Sequence, residues 1–293
     1  MKDLFRLFLL AVAALTLNIS CGGDDDDDSP QIVIVDGGET SSDYPKRLEV
    51  PKLAESDGIF IAHDADYGSR KVMNYCLEFA PSAMHSRWVA FRFDGVTRQV
   101  STGRSDEPFT DDPLLSTQYW VGSRSFNGYD RGHLCASADR YWSIEANQQT
   151  FYMTNISPQL NAFNTGIWAD YENRFRAKGR DATFADTLYV VKGGTVANGQ
   201  TMGNVVRDNG RVVRVPKYYF MAFLRYRLGN YDAVGLWLEH RAYSSAERND
   251  LGAYLVSIDR LEELTGIDFF HNLPDAVEER TEATFLKSIW GFN

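Results

Sequence analysis

The chain has no CxxC pair and no tight Cys/His cluster, which removes zinc fingers and other thiolate metal sites from consideration. Its three cysteines, Cys21, Cys76 and Cys135, are scattered through 293 residues. No apolar run reaches the roughly twenty residues that a membrane-spanning helix needs. The run Leu7–Leu17 is too short to cross a bilayer in a mature protein. There is no internal repeat, no zinc finger, no basic helix for a major groove and no ribonucleoprotein motif. Positive charge is also scarce, with 30 basic against 40 acidic residues. Much of that deficit is local. Residues 1–45 hold nine acidic and two basic side chains, so 31 acidic and 28 basic ones remain in the body. A nearly neutral body argues against a protein that merely coats nucleic acid, but an enzyme needs only a local positive patch.

The N-terminus reads as an address. Lys2 and Arg6 precede the short apolar run, as in a secretory signal. Cys21 follows in LNISCGGDDDDDS, which resembles the cleavage and lipidation site of bacterial lipoproteins, although Asn18 stands where that pattern usually has Leu. The run Asp24–Asp28 stays solvated. The expected organisation is a signal segment at 1–21, an acidic flexible tether at 22–45 and one globular body at 46–293. The protein is then exported and held on the outer membrane by a lipid on Cys21. In such a compartment Cys76 and Cys135 are either bonded or two buried free thiols.

Within the body, Asn74–Phe79 and Trp88–Phe93 alternate apolar and polar residues and predict two antiparallel strands. Thr150–Thr154, Leu188–Val191, Val212–Val215, Tyr218–Tyr226 and Ala233–Leu238 are further expected strands, with a turn at Gly229-Asn230. Residues 94–128, rich in Gly, Ser, Asp and Pro, form a long surface segment of the kind that often carries function. A helix is expected over 161–178, and a short one over Ile258–Leu264 ending at Gly266. Strands and helices mix without regular βαβ alternation, so the fold class is α+β with a mainly antiparallel sheet and flanking helices.

Two stripes run along the 161–178 helix. Phe163, Ile167, Tyr171 and Phe175 recur every fourth residue and face a core. Beside them run Asn164, Trp168, Glu172 and Arg176. Spacing alone favours a plain Glu172–Arg176 pair on a solvated face. The oxygens of Asn164 and Glu172 on one side would also suit a hard cation such as Mg²⁺, with Arg176 meeting a phosphate beside it. Upstream, YDRGHLCASADR places Arg131 next to His133's strand position with aspartates on both sides. Adjacent positive charge is awkward for a histidine unless an anion is to arrive. His63, His85, His240 and His271 lack such company and read as core or surface histidines.

Together, DRGHLCASADR and TFYMTNISPQLNAFNTGIWADYENRFR resemble the DNA/RNA non-specific endonuclease family, whose active site is a ββα-metal motif. The likeness extends over roughly residues 70–273. It implies that His133 is the general base, Asn164 the single protein ligand of Mg²⁺ (with Mn²⁺ or Ca²⁺ as alternatives) and Glu172 the carboxylate that holds a water of the metal shell. It further implies that Arg131 and Arg176 lie near the scissile phosphate, that Arg104 is a further substrate arginine and that Asn155 is an amide beside the site. Ala136 stands where the family often has Pro, which loosens the backbone but removes no chemical group.

The chemistry accounts for these residue types. A phosphodiester repels nucleophiles, so a neutral imidazole that takes a proton from water, a divalent cation and guanidiniums each lower the barrier. The resemblance thus implies Mg²⁺-dependent endonucleolytic cleavage of DNA and RNA, leaving 5′-phosphate and 3′-hydroxyl ends. With only phosphate and sugar contacts, it would read little sequence. The rival expectations are a phosphodiesterase for small esters on the same fold and a non-catalytic nucleic-acid-binding lipoprotein.

Overall fold

The computed structural model describes residues 31–33 and 43–292. The signal segment, Cys21 and most of the acidic tether lie outside the described residues. Among those described, no helix is long and apolar enough to cross a membrane.

Twelve strands organise these residues. They are β1 (Gln31–Val33), β2 (Ile59–Tyr67), β3 (Arg70–Ala80), β4 (His85–Phe93), β5 (Asp130–His133) and β6 (Ile156–Gln159). Then come β7 (Thr187–Gly194), β8 (Thr201–Val206), β9 (Val212–Pro216), β10 (Tyr218–Arg227), β11 (Asn230–Glu239) and β12 (Leu255–Val256). The helices are α1 (Ile144–Gln149), α2 (Asn161–Phe163), α3 (Ala169–Arg180), α4 (Ser245–Asn249), α5 (Ile258–Thr265) and α6 (Asp275–Glu282). One eight-stranded sheet runs β1-β2-β3-β4-β7-β10-β11-β12. All its pairs are antiparallel except β1 with β2.

The sheet is covered on both faces, because successive side chains point to opposite sides and both sets are apolar. Tyr75, Leu77, Phe91, Val190, Met221 and Phe223 face one core, shared with Phe163, Ile167, Tyr171 and Phe175. Cys76, Trp88, Ala90, Val191, Phe220 and Leu224 face the other, shared with Ile258, Leu261 and Phe269 around α5. The α+β class with a mainly antiparallel sheet is what forms.

Several local expectations change. Thr150–Thr154 is not a strand: Thr150 caps α1, its hydroxyl donating to Asn147 at 2.7 Å, and Met153–Asn155 turn as a 3₁₀ segment. The β10–β11 turn is centred on Leu228-Gly229, both at positive φ, rather than on Gly229-Asn230. That is the backbone a two-residue hairpin of matching twist demands. Gln31–Val33, inside the expected tether, is a strand on the sheet edge, and Tyr44 is already buried. Cys76 and Cys135 are free. They belong to cores on opposite faces of the sheet, so no bond can form between them. Burial pushes the Cys135 thiol up to about 12.

Candidate active site

A small β-pair and the broken helix that follows it carry the site. β5 and β6 pair antiparallel, with His133 opposite Ile156 and Gly132 opposite Ser157. Gly132 is obligatory, since a Cβ there would overlap the Gln159 side chain. The chain then enters α2. His240 fixes this junction: its Nε2 accepts from the Leu160 backbone N–H at 2.7 Å, and its Nδ1 donates to the Pro216 carbonyl at 2.9 Å. The expected continuous helix over 161–178 is interrupted. A π-turn spans Asn164–Trp168, with Gly166 outside helical geometry, before α3 resumes. Such turns recur at functional sites, and here one starts at Asn164.

His133 is half-buried, packed between Phe109 (ring centroids 5.6 Å) and Phe151 (5.4 Å, perpendicular). Trp168 Nε1 donates to its backbone carbonyl at 3.2 Å, tying the helix to β5. The ring's Nε2 is shut away from solvent and has no partner among the described residues. Burial, then the nearby charges of Arg104, Lys192 and Arg131, lowers this imidazole to about 3, against the opposing pull of Asp139. Arg104 is exposed and lies 4.9 Å over Phe151. Arg131 stacks 3.9 Å over Phe109 and donates to the Ser123 carbonyl at 2.7 Å. Two phenyl rings thus space two guanidiniums around one neutral imidazole, and both arginines are brought to the histidine.

Asn164 is oriented by Asp130. Its Nδ2 donates to Asp130 Oδ2 at 3.0 Å, and Asn161 Nδ2 donates to the same oxygen at 2.9 Å. A carboxylate only accepts, so the amide must present its NH₂ there. This leaves Asn164 Oδ1 without a protein partner among the described residues.

Glu172 and Arg176 do not form a simple surface pair, being 4.0 Å apart. They belong to a four-charge cluster. Arg176 Nε donates to Asp139 Oδ1 at 2.6 Å, and Lys192 Nζ lies 3.0 Å from Asp139 Oδ2 and 3.2 Å from Glu172 Oε1. Burial works to raise the Asp139 carboxyl, but Lys192, Arg176 and Arg140 outweigh it and hold it at about 2. Burial raises Glu172, and Asp139 adds to this against Lys192 and Arg176.

Asn155 is fully buried, and its amide is spent on the backbone. Its Oδ1 accepts from Cys135 N–H at 2.8 Å, while Nδ2 donates to the carbonyls of Cys135 at 2.9 Å and Thr150 at 2.8 Å. Expected as an amide beside the site, it clamps the loop that leaves His133. A cavity of about 690 Å³ beside Trp88 and Gln200 includes none of these residues.

Sequence reasoning missed Asp130, Asp139, Lys192, Phe109, Phe151 and His240. The lone lysine in the apolar stretch Val190-Val191-Lys192 was a readable signal, since a buried ammonium needs carboxylates around it. The aspartates flanking Arg131 and His133 were visible, though not their partners.

His85 and His240, outside the centre, are held as neutral acceptors or donors. Burial lowers His85 and His240 each to about 4, against opposing backbone hydrogen bonds to Ser86 and Pro216. In the unfolded chain each would take a proton near 6.5, so their share of stability is complete above that pH and lost as pH falls towards about 4. At pH 5 the cost is about 2 kcal/mol for each. Between pH 7.5 and 5, wild type should therefore lose about 2 kcal/mol more than His240→Gln in urea unfolding. Parallel losses in the two proteins would contradict a neutral, doubly bonded His240.

With the geometry in place, the comparisons with known proteins are consistent with it. The family model described as DNA/RNA non-specific endonuclease matches residues 57–276. A nuclease from Nostoc sp. is 29% identical over 222 residues, covering 71% of this chain and 75% of that protein. Bovine mitochondrial endonuclease G is 26% identical over 212 residues, covering 68% of each. In fold, the chain is similar to the crystal structure of the EndoG/EndoGI complex, with a TM-score of 0.55 at 19% identity, covering 74% of this chain and 89% of that one. The β5–β6–helix unit, the antiparallel sheet behind it and the matched segment agree: this chain is a nuclease and belongs to the DNA/RNA non-specific endonuclease family.

Proposed function

We propose that the chain is a Mg²⁺-dependent endonuclease that hydrolyses DNA and RNA without sequence preference. The observation that carries this is the convergence on one ββα unit of a neutral imidazole and an amide oxygen, with arginines around them. The donor set fits a hard divalent cation: Asn164 Oδ1, left without a protein partner because its Nδ2 is bound to Asp130, would be the single protein ligand, and Glu172 on α3 would hold a water of the metal shell. When bound there, Mg²⁺ would neutralise charge that develops on the phosphorane and the leaving oxygen.

The remaining steps belong to the chain. His133 Nε2 is enclosed, so Nδ1 is the nitrogen that a water can reach, and it takes the proton as that water attacks phosphorus. This requires the tautomer with the proton on Nε2, directed at the surrounding rings. Arg131 and Arg104 bind phosphate oxygens beside the imidazole, and Arg176, steadied by Asp139, meets charge on the α3 side. The P–O3′ bond breaks, and the departing O3′ takes a proton from a second water, leaving a 5′-phosphate and a 3′-hydroxyl. Arginine contacts to phosphate give affinity without base readout.

The N-terminal pattern supports an exported enzyme held on the outer membrane through a lipid at Cys21.

Plasmid DNA and RNA should both be cut internally by the soluble body in Mg²⁺, and neither in EDTA. Equal cutting in EDTA, or turnover of a nitrophenyl phosphodiester with polymers left intact, would overturn the assignment.

A further inference from the structure

Across the sheet from α3, helices α5 and α6 bring three carboxylates together. One oxygen each of Asp259, Glu262 and Glu282 lies within 4.8 Å of the others. Oxygens within that limit can share one Ca²⁺ coordination sphere, whose oxygens stand about 2.3–2.6 Å from the ion. Asp259 and Glu262 are three residues apart on α5 and so share a side. Glu282, at the end of α6, is only 4% exposed, and its Oε1 has no partner among the described residues. A buried carboxylate oxygen left unpaired is costly.

The neighbours deepen the problem. Glu278 lies one turn before Glu282, and Asp268 follows α5. Of the bases nearby in chain or space, Lys52 is turned to Asp268 at 3.7 Å and Arg260 to Glu263 at 2.5 Å. Glu262 is held rigidly, one oxygen accepting from the Phe269 N–H at 2.7 Å. Burial, then the surrounding acids, pushes Glu282 up to about 9; burial, against the Phe269 N–H, pushes Glu262 up to about 7. Such groups either hold protons or take a cation.

We propose that Asp259, Glu262 and Glu282 form a structural divalent-cation site of the calcium type that fastens α6 to α5, separate from the catalytic centre. The donors are all oxygen, which disfavours zinc. Mg²⁺ demands a near-ideal octahedron and dehydrates reluctantly, whereas Ca²⁺ tolerates an irregular set of carboxylates and takes water on the side where Asp259 is exposed. Both helices pack on β11, so the ion ties the end of the chain to the sheet. Glu282 lies beyond residue 276, where the family match stops.

The test is thermal unfolding of the full chain at roughly pH 8, where the acids release protons to a metal, in EDTA, millimolar Mg²⁺ and millimolar Ca²⁺. Wild type should gain about 5 °C more from Ca²⁺ than Glu282→Gln does, and Ca²⁺ should exceed Mg²⁺. In EDTA the variant should be no less stable than wild type, since it replaces a carboxyl whose buried oxygen has no partner among the described residues. Comparing variants removes any Ca²⁺ effect at the catalytic centre, and Glu282→Gln should digest DNA in Mg²⁺ at the wild-type rate. Equilibrium dialysis should find one Ca²⁺ fewer bound. If Glu282→Gln misfolds, the exposed Asp259→Asn carries the same expectations. Equal Ca²⁺ shifts and equal Ca²⁺ stoichiometry in wild type and variant would overturn the site.

Discussion

His133→Ala should fold, bind nucleic acid and lose about 100- to 10,000-fold in kcat on DNA in saturating Mg²⁺, the usual worth of one general base. The fold should survive because the residue is only half-buried and its removal also removes a buried unpartnered nitrogen. Added imidazole should restore part of the rate by entering the space between those rings, an effect that a merely structural role would not show. The pH profile adds a second check. In the free enzyme the imidazole is lowered to about 3, chiefly by burial, so it is neutral but a weak base. A phosphate arriving between Arg104 and Arg131 offsets their charge and raises the imidazole towards the working pH. The acid limb of kcat, which reports the bound complex, should therefore lie at higher pH than that of kcat/KM. Unchanged digestion by His133→Ala, or acid limbs in the reverse order, would remove His133 from the proton transfer.

What was readable in the sequence was what repeats locally. Phe163, Ile167, Tyr171 and Phe175 recur at helical period, and all four are buried in one core. Trp88–Phe93 alternates, and its two sets of side chains enter the two cores. The residues that tune the site were hidden because they meet it through the sheet. Lys192 reaches Asp139 across 53 positions in the chain, and Asp130 reaches Asn164 across 34. No local period encodes such pairs. Thr150–Thr154 failed for a different reason: a short apolar alternation fits a turn as well as a strand, and the hydroxyl bond from Thr150 to Asn147 decides for the turn. The Asn164 π-turn is also a tertiary effect. Helical spacing predicted a straight rod, but Asp130 binds the amides of both Asn161 and Asn164 and pins the first turn to β5.

That pinning sets up the second large effect. Asn164→Ala should lower DNA digestion at sub-millimolar Mg²⁺ by at least about 100-fold, and raising Mg²⁺ should recover part of it. If one amide oxygen is the only atom the chain gives to the cation, its loss leaves substrate phosphate and water to hold it, and the metal requirement rises steeply. Asp130→Asn in the same assay separates holding from orienting. An amide at 130 both donates and accepts, so Asn164 can rotate its oxygen inward, and the Mg²⁺ requirement should rise by about 10-fold with a similar maximal rate. His133→Ala should show the opposite split, with a collapsed maximal rate and an unchanged Mg²⁺ requirement. An Asn164→Ala protein whose Mg²⁺ titration overlays that of wild type would show that the cation is held elsewhere, and the oriented amide would then be only a helix-start contact.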